Sequence, residues 1–157
     1  ILSAGLNAPS ARNSQPWHFS VVTNKDVLNQ IADAMSGGTS SASSSQQSSA
    51  PKRLGLADAP VAVFVYGTDN LPTDSFDCGL ATEAMSIAAL SLGYGTKILS
   101  SPSTTLNGEK KAEFDKLLQI PEGYSNVAVL LIGHNDVDAA TGASTRSSME
   151  EKVKFIN

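Results

Sequence analysis

Cysteine is nearly absent from this chain: Cys78 is the only one in 157 residues. A lone cysteine excludes an internal disulfide and any Cys-rich zinc or iron–sulfur site. Histidine is scarce as well. His18 and His134 stand far apart, with no cysteine or carboxylate at ligand spacing beside either. Both therefore read as packed or surface side chains, and no metal site is expected. No G-x-S-x-G and no Cys/His pair marks a nucleophile. The G-x-G of Gly93-Tyr94-Gly95 follows a helical pattern and lacks a third glycine, so it reads as a helix stop, not as a nucleotide fingerprint. Positive charge is in deficit: 11 Lys and Arg against 15 Asp and Glu give a net charge of -4. That argues against nucleic acid or an anionic membrane as the main partner, since both need a basic face. No apolar run is long enough to span a bilayer, and no secretory signal pattern is visible, so a cytoplasmic protein is expected.

What is present is the composition of an ordinary globular protein, with 41% hydrophobic residues and a length that suits one domain over 1–157. Ile1, Leu2 and Leu6 sit at helical spacing and read as the last turns of a helix whose start is missing. Asn7 can end that helix, and Pro9 cannot continue it. A short strand is predicted over 18–22. A helix follows, with Thr23 as N-cap, Asp26 in the capping-box position, and Val27, Leu28, Ile31, Ala32 and Met35 on one face. Residues 37–50, rich in Ser, Gln and Gly, predict a flexible loop. VAVFVY over 61–66 and VAVLLI over 127–132 are continuous apolar runs and predict buried strands. Between them lie a helix over 76–92 with an Ala-rich stripe (Leu80, Ala81, Ala84, Met85, Ala88, Leu92), a strand over 95–99, a Ser/Thr/Pro turn over 100–105, and an amphipathic helix over 109–119. A last short helix is predicted over 149–156. Interspersed helices and about four strands suggest a central sheet covered on both faces.

The segment APSARNSQPW, residues 8–17, reads as a rigid polar loop. Pro9 fixes a bend, residues 10–13 offer backbone N–H groups and polar side chains, and Trp17 can anchor the turn. That is compatible with binding a flat ligand with polar edges. APSARNSQPWHF before a strand closely resembles the signature of the nitroreductase family of flavoproteins. LADAPVAVFVY, DCGLATEAMSIAALSLGYGTKI, LQIPEGYSNVAVLLIGH and TRSSMEEKVKF resemble further motifs of that family, in order and over nearly the whole chain.

The resemblance implies an α+β fold, a three-layer α/β/α arrangement around a mixed, mainly antiparallel sheet. It implies FMN as cofactor, NAD(P)H as transient reductant, and a homodimer with two FMN sites at the interface. Pro9, Ser10 and Ala11 would lie against the flavin ring, with Asn13 holding their loop. Leu99, Ser100 and Ser101, just before Pro102, would meet the N5 edge. Arg146 would bind the FMN phosphate, and Lys52 and Arg53 fall near the pyrimidine edge. The family's Arg-x-Ser motif ahead of the first helix has no match here. No side chain need act as acid or base, because the flavin carries the chemistry. Cys78 reads as a small buried residue, and Glu83 as a surface, interface or cofactor-side group. The activity implied is reduction of nitroaromatics, quinones or similar flat electron-poor acceptors. The alternatives are a flavin-binding protein without turnover and a reductive dehalogenase, the latter suggested by the Ser100–Pro102 turn.

Overall fold

The computed structural model describes residues 1–36, 55–134 and 146–156. Four strands form one sheet: β1 (Trp17–Val22), β2 (Val61–Gly67), β3 (Tyr94–Leu99) and β4 (Ser125–His134), in the spatial order β1-β2-β4-β3. Each of the three pairings is antiparallel, so the mainly antiparallel sheet expected from the sequence contains no parallel pair among the described strands.

The apolar runs decide which strands are central. Along β2, Ala62, Phe64 and Tyr66 project into one hydrophobic cluster while Val63 and Val65 project into another. In β4, Val129 and Leu131 face the first cluster, and Leu130 and Ile132 the second. A strand that alternates sides and is apolar at every position can only sit between two covering layers. One layer holds α2 (Lys25–Met35), α4 (Pro102–Leu106) and α5 (Lys111–Leu118), which contribute Leu28, Ile31, Leu106, Phe114 and Leu118. The other holds α1 (Leu2–Leu6) and α3 (Asp74–Ser91). Helix α3 lies across all four strands and packs on α1.

Four local features depart from the sequence reading. Asn24, not Thr23, caps α2: its Oδ1 accepts from the Asp26 and Val27 amides, at 2.9 and 3.4 Å. Asn24 stands directly before the first helical residue, Lys25, and its amide oxygen reaches both orphan donors of the first turn. Residues 100–105 are not a simple turn, because Pro102 opens α4, at a position where its missing N–H costs nothing. The final helix is shorter than expected, only Met149–Lys152. The stripe on α3 is rotated: the buried positions are Asp74, Asp77, Cys78, Ala81, Thr82, Met85, Ser86 and Ala89, while Leu92 is exposed. The helix is apolar on several sides, so a stripe read from sequence could be drawn along more than one of them. Its end was legible. Gly93 takes φ +84 just after the C-cap, the left-handed stop that glycine adopts without penalty.

Candidate functional site

Residues 8–16 run from the end of α1 to the start of β1. A single 3-10 turn, Ala11–Asn13, is followed by Ser14 and Gln15, and three non-glycine residues here have left-handed backbones: Arg12 (φ 54), Asn13 (φ 55) and Gln15 (φ 46). Asparagine tolerates that region, but for Arg and Gln it costs roughly 1–2 kcal/mol each. Such a shape persists only when its surroundings enforce it. The anchors are visible. Ser10 Oγ accepts from the Gln15 amide at 3.0 Å, and the Pro16 carbonyl accepts from the Thr68 amide at 3.0 Å. Trp17 is buried and stacks on Phe19, with ring centroids 6.4 Å apart. From α3, Asp77 Oδ2 accepts from the Ala11 amide at 2.9 Å.

Strand register fixes where this loop lies. Trp17 pairs with Gly67, and Gly67 with Ser125, so the start of β1, the end of β2 and the start of β4 form one end of the sheet. Leu99, the last residue of β3, pairs with Val129 toward that same end. Pro9, Ser10, Ala11 and Asn13 therefore share an end of the sheet with Leu99, Ser100 and Ser101. They stand at opposite edges, however. Three strand spacings separate β1 from β3, roughly 14 Å.

The second segment is also held firmly. Ser103 Oγ donates to Asn126 Oδ1 at 2.9 Å, Asn107 Nδ2 donates to the Asn126 carbonyl at 2.8 Å, and the Asn126 amide donates to Asn107 Oδ1 at 2.7 Å. Asn126 Nδ2 in turn reaches the carbonyls of Val65 and Ala128, where the β2–β4 register shifts. This buried amide bridges the irregularity and pins α4 to β4, so the exposed Ser100–Ser101 turn ahead of it has a fixed base.

At the start of α3, Asp74 is buried. Its Oδ2 accepts from Thr68 Oγ1 and from the Asn70 and Leu71 amides. Burial raises its pKa, but the bonds from Thr68, Leu71 and Asn70 together prevail and hold the carboxyl below its ordinary value. Cys78, one turn on, is pushed up to about 12, first by burial and then by the nearby Asp74 and Asp77. It is an inert packed thiol, as the sequence suggested.

Two open clefts, of about 470 Å³ along His18–Asn24 and Leu117–Gln119 and about 560 Å³ between α2, α4 and α5, contain none of the expected site residues. The candidate site is instead an exposed surface at the sheet's end. Arg146 is exposed just ahead of Met149–Lys152, which form α6, and Glu83 is exposed midway along α3. Lys52, Arg53 and the 37–50 tract lie outside the described residues. Among the described residues no group of three or more His, Cys, Asp or Glu could hold a metal, and no helix is long and apolar enough to cross a membrane.

The sequence model of the nitroreductase family matches residues 1–134. The chain belongs to the nitroreductase family. A relative in Archaeoglobus fulgidus, which carries the provisional name NADH dehydrogenase/NAD(P)H nitroreductase, is 32% identical over 139 residues, covering 85% of this chain and 70% of its own. Among solved structures, a nitroreductase with bound FMN from Desulfitobacterium hafniense superposes with a TM-score of 0.78 at 25% identity, covering 99% of this chain and 84% of that one. A second, from Bacteroides fragilis and also with bound FMN, gives a TM-score of 0.80 at 21% identity, with 99% and 84% covered. The nitroreductase fold is thus the fold of this chain.

Sequence reading missed the two polar side chains that hold this family member's loops in place, Asp77 and Asn126. A signal existed for the first. Asp77 shares the period of Ala81 and Met85, so an acid stood on the face that the neighbouring apolar residues bury. For Asn126 there was none, since one polar residue ahead of an apolar run looks like an ordinary strand start.

Proposed function

We propose that this chain is an FMN-dependent NAD(P)H oxidoreductase, acting as a homodimer with residues 1–157 forming one FMN-binding unit. It takes hydride from NADH or NADPH in one half-reaction and passes it to a flat electron-poor acceptor, a nitroaromatic or quinone, in the second. Family membership carries the reading. The FMN bound in the relatives from D. hafniense and B. fragilis supports the cofactor.

The residues present fit that group. Pro9 and Ala11 offer apolar surface for a flat ring, and Ser10, Asn13, Ser100 and Ser101 offer donors for its polar edge. The Arg146 guanidinium suits a phosphate dianion through paired, charge-assisted bonds. FMN, when bound, supplies the ring that accepts and returns the hydride. The protein's part is to orient: the strained loop and the Ser100–Ser101 turn are each fixed before any ligand arrives, which lowers the ordering cost of binding. A hydroxyl near the reacting edge can stabilise charge that develops there.

The dimer also has a physical basis. Toward its C-terminal half the outer face of α3 exposes Ile87 (58%) and Leu90 (53%) side by side, with Glu83 separating them from the exposed Phe76. This exposed apolar pair supports an association surface there. The strands that carry the two segments are three spacings apart, roughly 14 Å, and a second copy would bring its own loop to the 99–101 turn.

The test is the visible spectrum of purified protein after FMN addition and gel filtration. A retained flavin that bleaches anaerobically with NADH or NADPH, and recovers with a quinone or nitroaromatic, is the expected result. No retained flavin would sink the reading. A retained flavin that stays oxidised would indicate a binding protein without turnover.

A further inference from the structure

We propose that Asp77 is the positioning residue of the cofactor loop, holding residues 8–16 in their strained shape from α3. This rests on the reading of that loop as one wall of the FMN site. The argument starts from the backbone. Arg12, Asn13 and Gln15 are left-handed without being glycine, so the loop would relax if released. The Ser10–Gln15 bond lies within the loop, and the Thr68–Pro16 bond and Trp17 fix only its far end. Asp77 is different. It reaches the first residue of the 3-10 turn from another element, 66 positions away in sequence, through a 2.9 Å bond to the Ala11 amide. Asp77 is 3% exposed, so water competes little for that bond. The acceptor also rides on a helix that packs across all four strands.

A purely structural role, an acid placed near the N-terminus of α3 for its dipole, would also favour Asp77. Variants separate the two. Asp77→Ala removes the acceptor. Asp77→Asn keeps an acceptor oxygen and loses the charge. Asp77→Ser keeps a small polar side chain whose hydroxyl is too short to reach the Ala11 amide.

Three readouts are needed: hydrogen exchange of residues 8–15 in flavin-free protein, FMN affinity by fluorescence quenching, and the absorbance maxima of bound flavin. In Asp77→Ala, loop exchange should accelerate while β2 and β4 stay protected, and FMN affinity should fall about 10- to 100-fold, the worth of one hydrogen bond to a charged group. The bound flavin maxima should shift. Asp77→Asn should recover most of each change, which a dipole role would not allow. Asp77→Ser should resemble Asp77→Ala and not Asp77→Asn, because its hydroxyl does not reach the loop. Wild-type affinity and unshifted maxima in Asp77→Ala would overturn the proposal while leaving the FMN reading intact. Failure of the wild-type protein itself to bind FMN would overturn both. Should Asp77→Ala fail to fold, Asp77→Ser carries the same comparison: unchanged loop exchange and FMN affinity there overturn the proposal.

Discussion

Cys78 is fully buried, and the charged groups acting on it are the acids Asp74 and Asp77. Its Sγ lies 3.7 Å from the Tyr66 carbonyl, and its pKa of about 12 leaves almost no thiolate at neutral pH. A thiol reagent at about pH 8 should leave the folded protein unlabelled and modify its single cysteine only in denaturant. Rapid labelling of the native protein would contradict the packing described. Asp74 carries the corresponding pH argument. Its folded pKa is depressed, because the bonds from Thr68, Leu71 and Asn70 outweigh the effect of burial. The stability it contributes is therefore present above the unfolded value of about 3.9 and is lost as pH falls through the lower folded value. Asp74→Asn should be less stable than wild type at neutral pH, and the gap should close on acidification. Urea midpoints across that range check this, and a gap that stays constant would count against it.

Elements meet most tightly where β2 passes under α3. A Cβ added at Gly67 would stand 2.7 Å from Cys78 Sγ and 3.3 Å from Val127 Cγ2. Neither neighbour can retreat easily, since one is fixed to a helix and the other to a strand. Gly67→Ala should cost about 1–3 kcal/mol, the usual price of overpacking. Chemical denaturation measures it, and Cys78→Ala in the same chain should restore part of the loss by clearing the space. Equal stabilities for the single and double variants would show that the strain lies elsewhere. At this scale the sequence was a good guide where the signal is local. Continuous apolar runs marked β2 and β4, and Gly93 marked the end of α3. It was a poor guide where a contact decides between neighbours. Asn24 and Thr23 can both cap a helix, and only reach selects one. The rotation of α3 depends on which of its apolar sides the sheet takes, which no helical period can state.

For the whole molecule, the expected ring-side residues, Arg146 aside, fall into two groups, and strand register puts them at one end of the sheet but at opposite edges. The family signature marked the 8–17 loop as a candidate; its separation from the 99–101 turn was not legible, because it depends on strand order. The strands that carry them stand roughly 14 Å apart, which leaves room for a partner's loop opposite each turn. The arrangement makes sense if each loop faces the other copy's turn, with the exposed Ile87 and Leu90 of α3 covered between the copies. Placing a carboxylate there tests the idea without touching either loop. Ile87→Glu and Leu90→Glu together should convert dimer to monomer in analytical ultracentrifugation, since burying two unpaired charges in an apolar contact is strongly unfavourable. Linkage then requires a second effect: if the site needs both copies, FMN must stabilise the dimer, and the monomeric variant must lose FMN affinity by at least about tenfold. Melting curves of the flavin-free variant show whether each chain remains folded. A folded monomer that keeps wild-type affinity would place the whole site within one chain and leave the apolar face of α3 without this explanation.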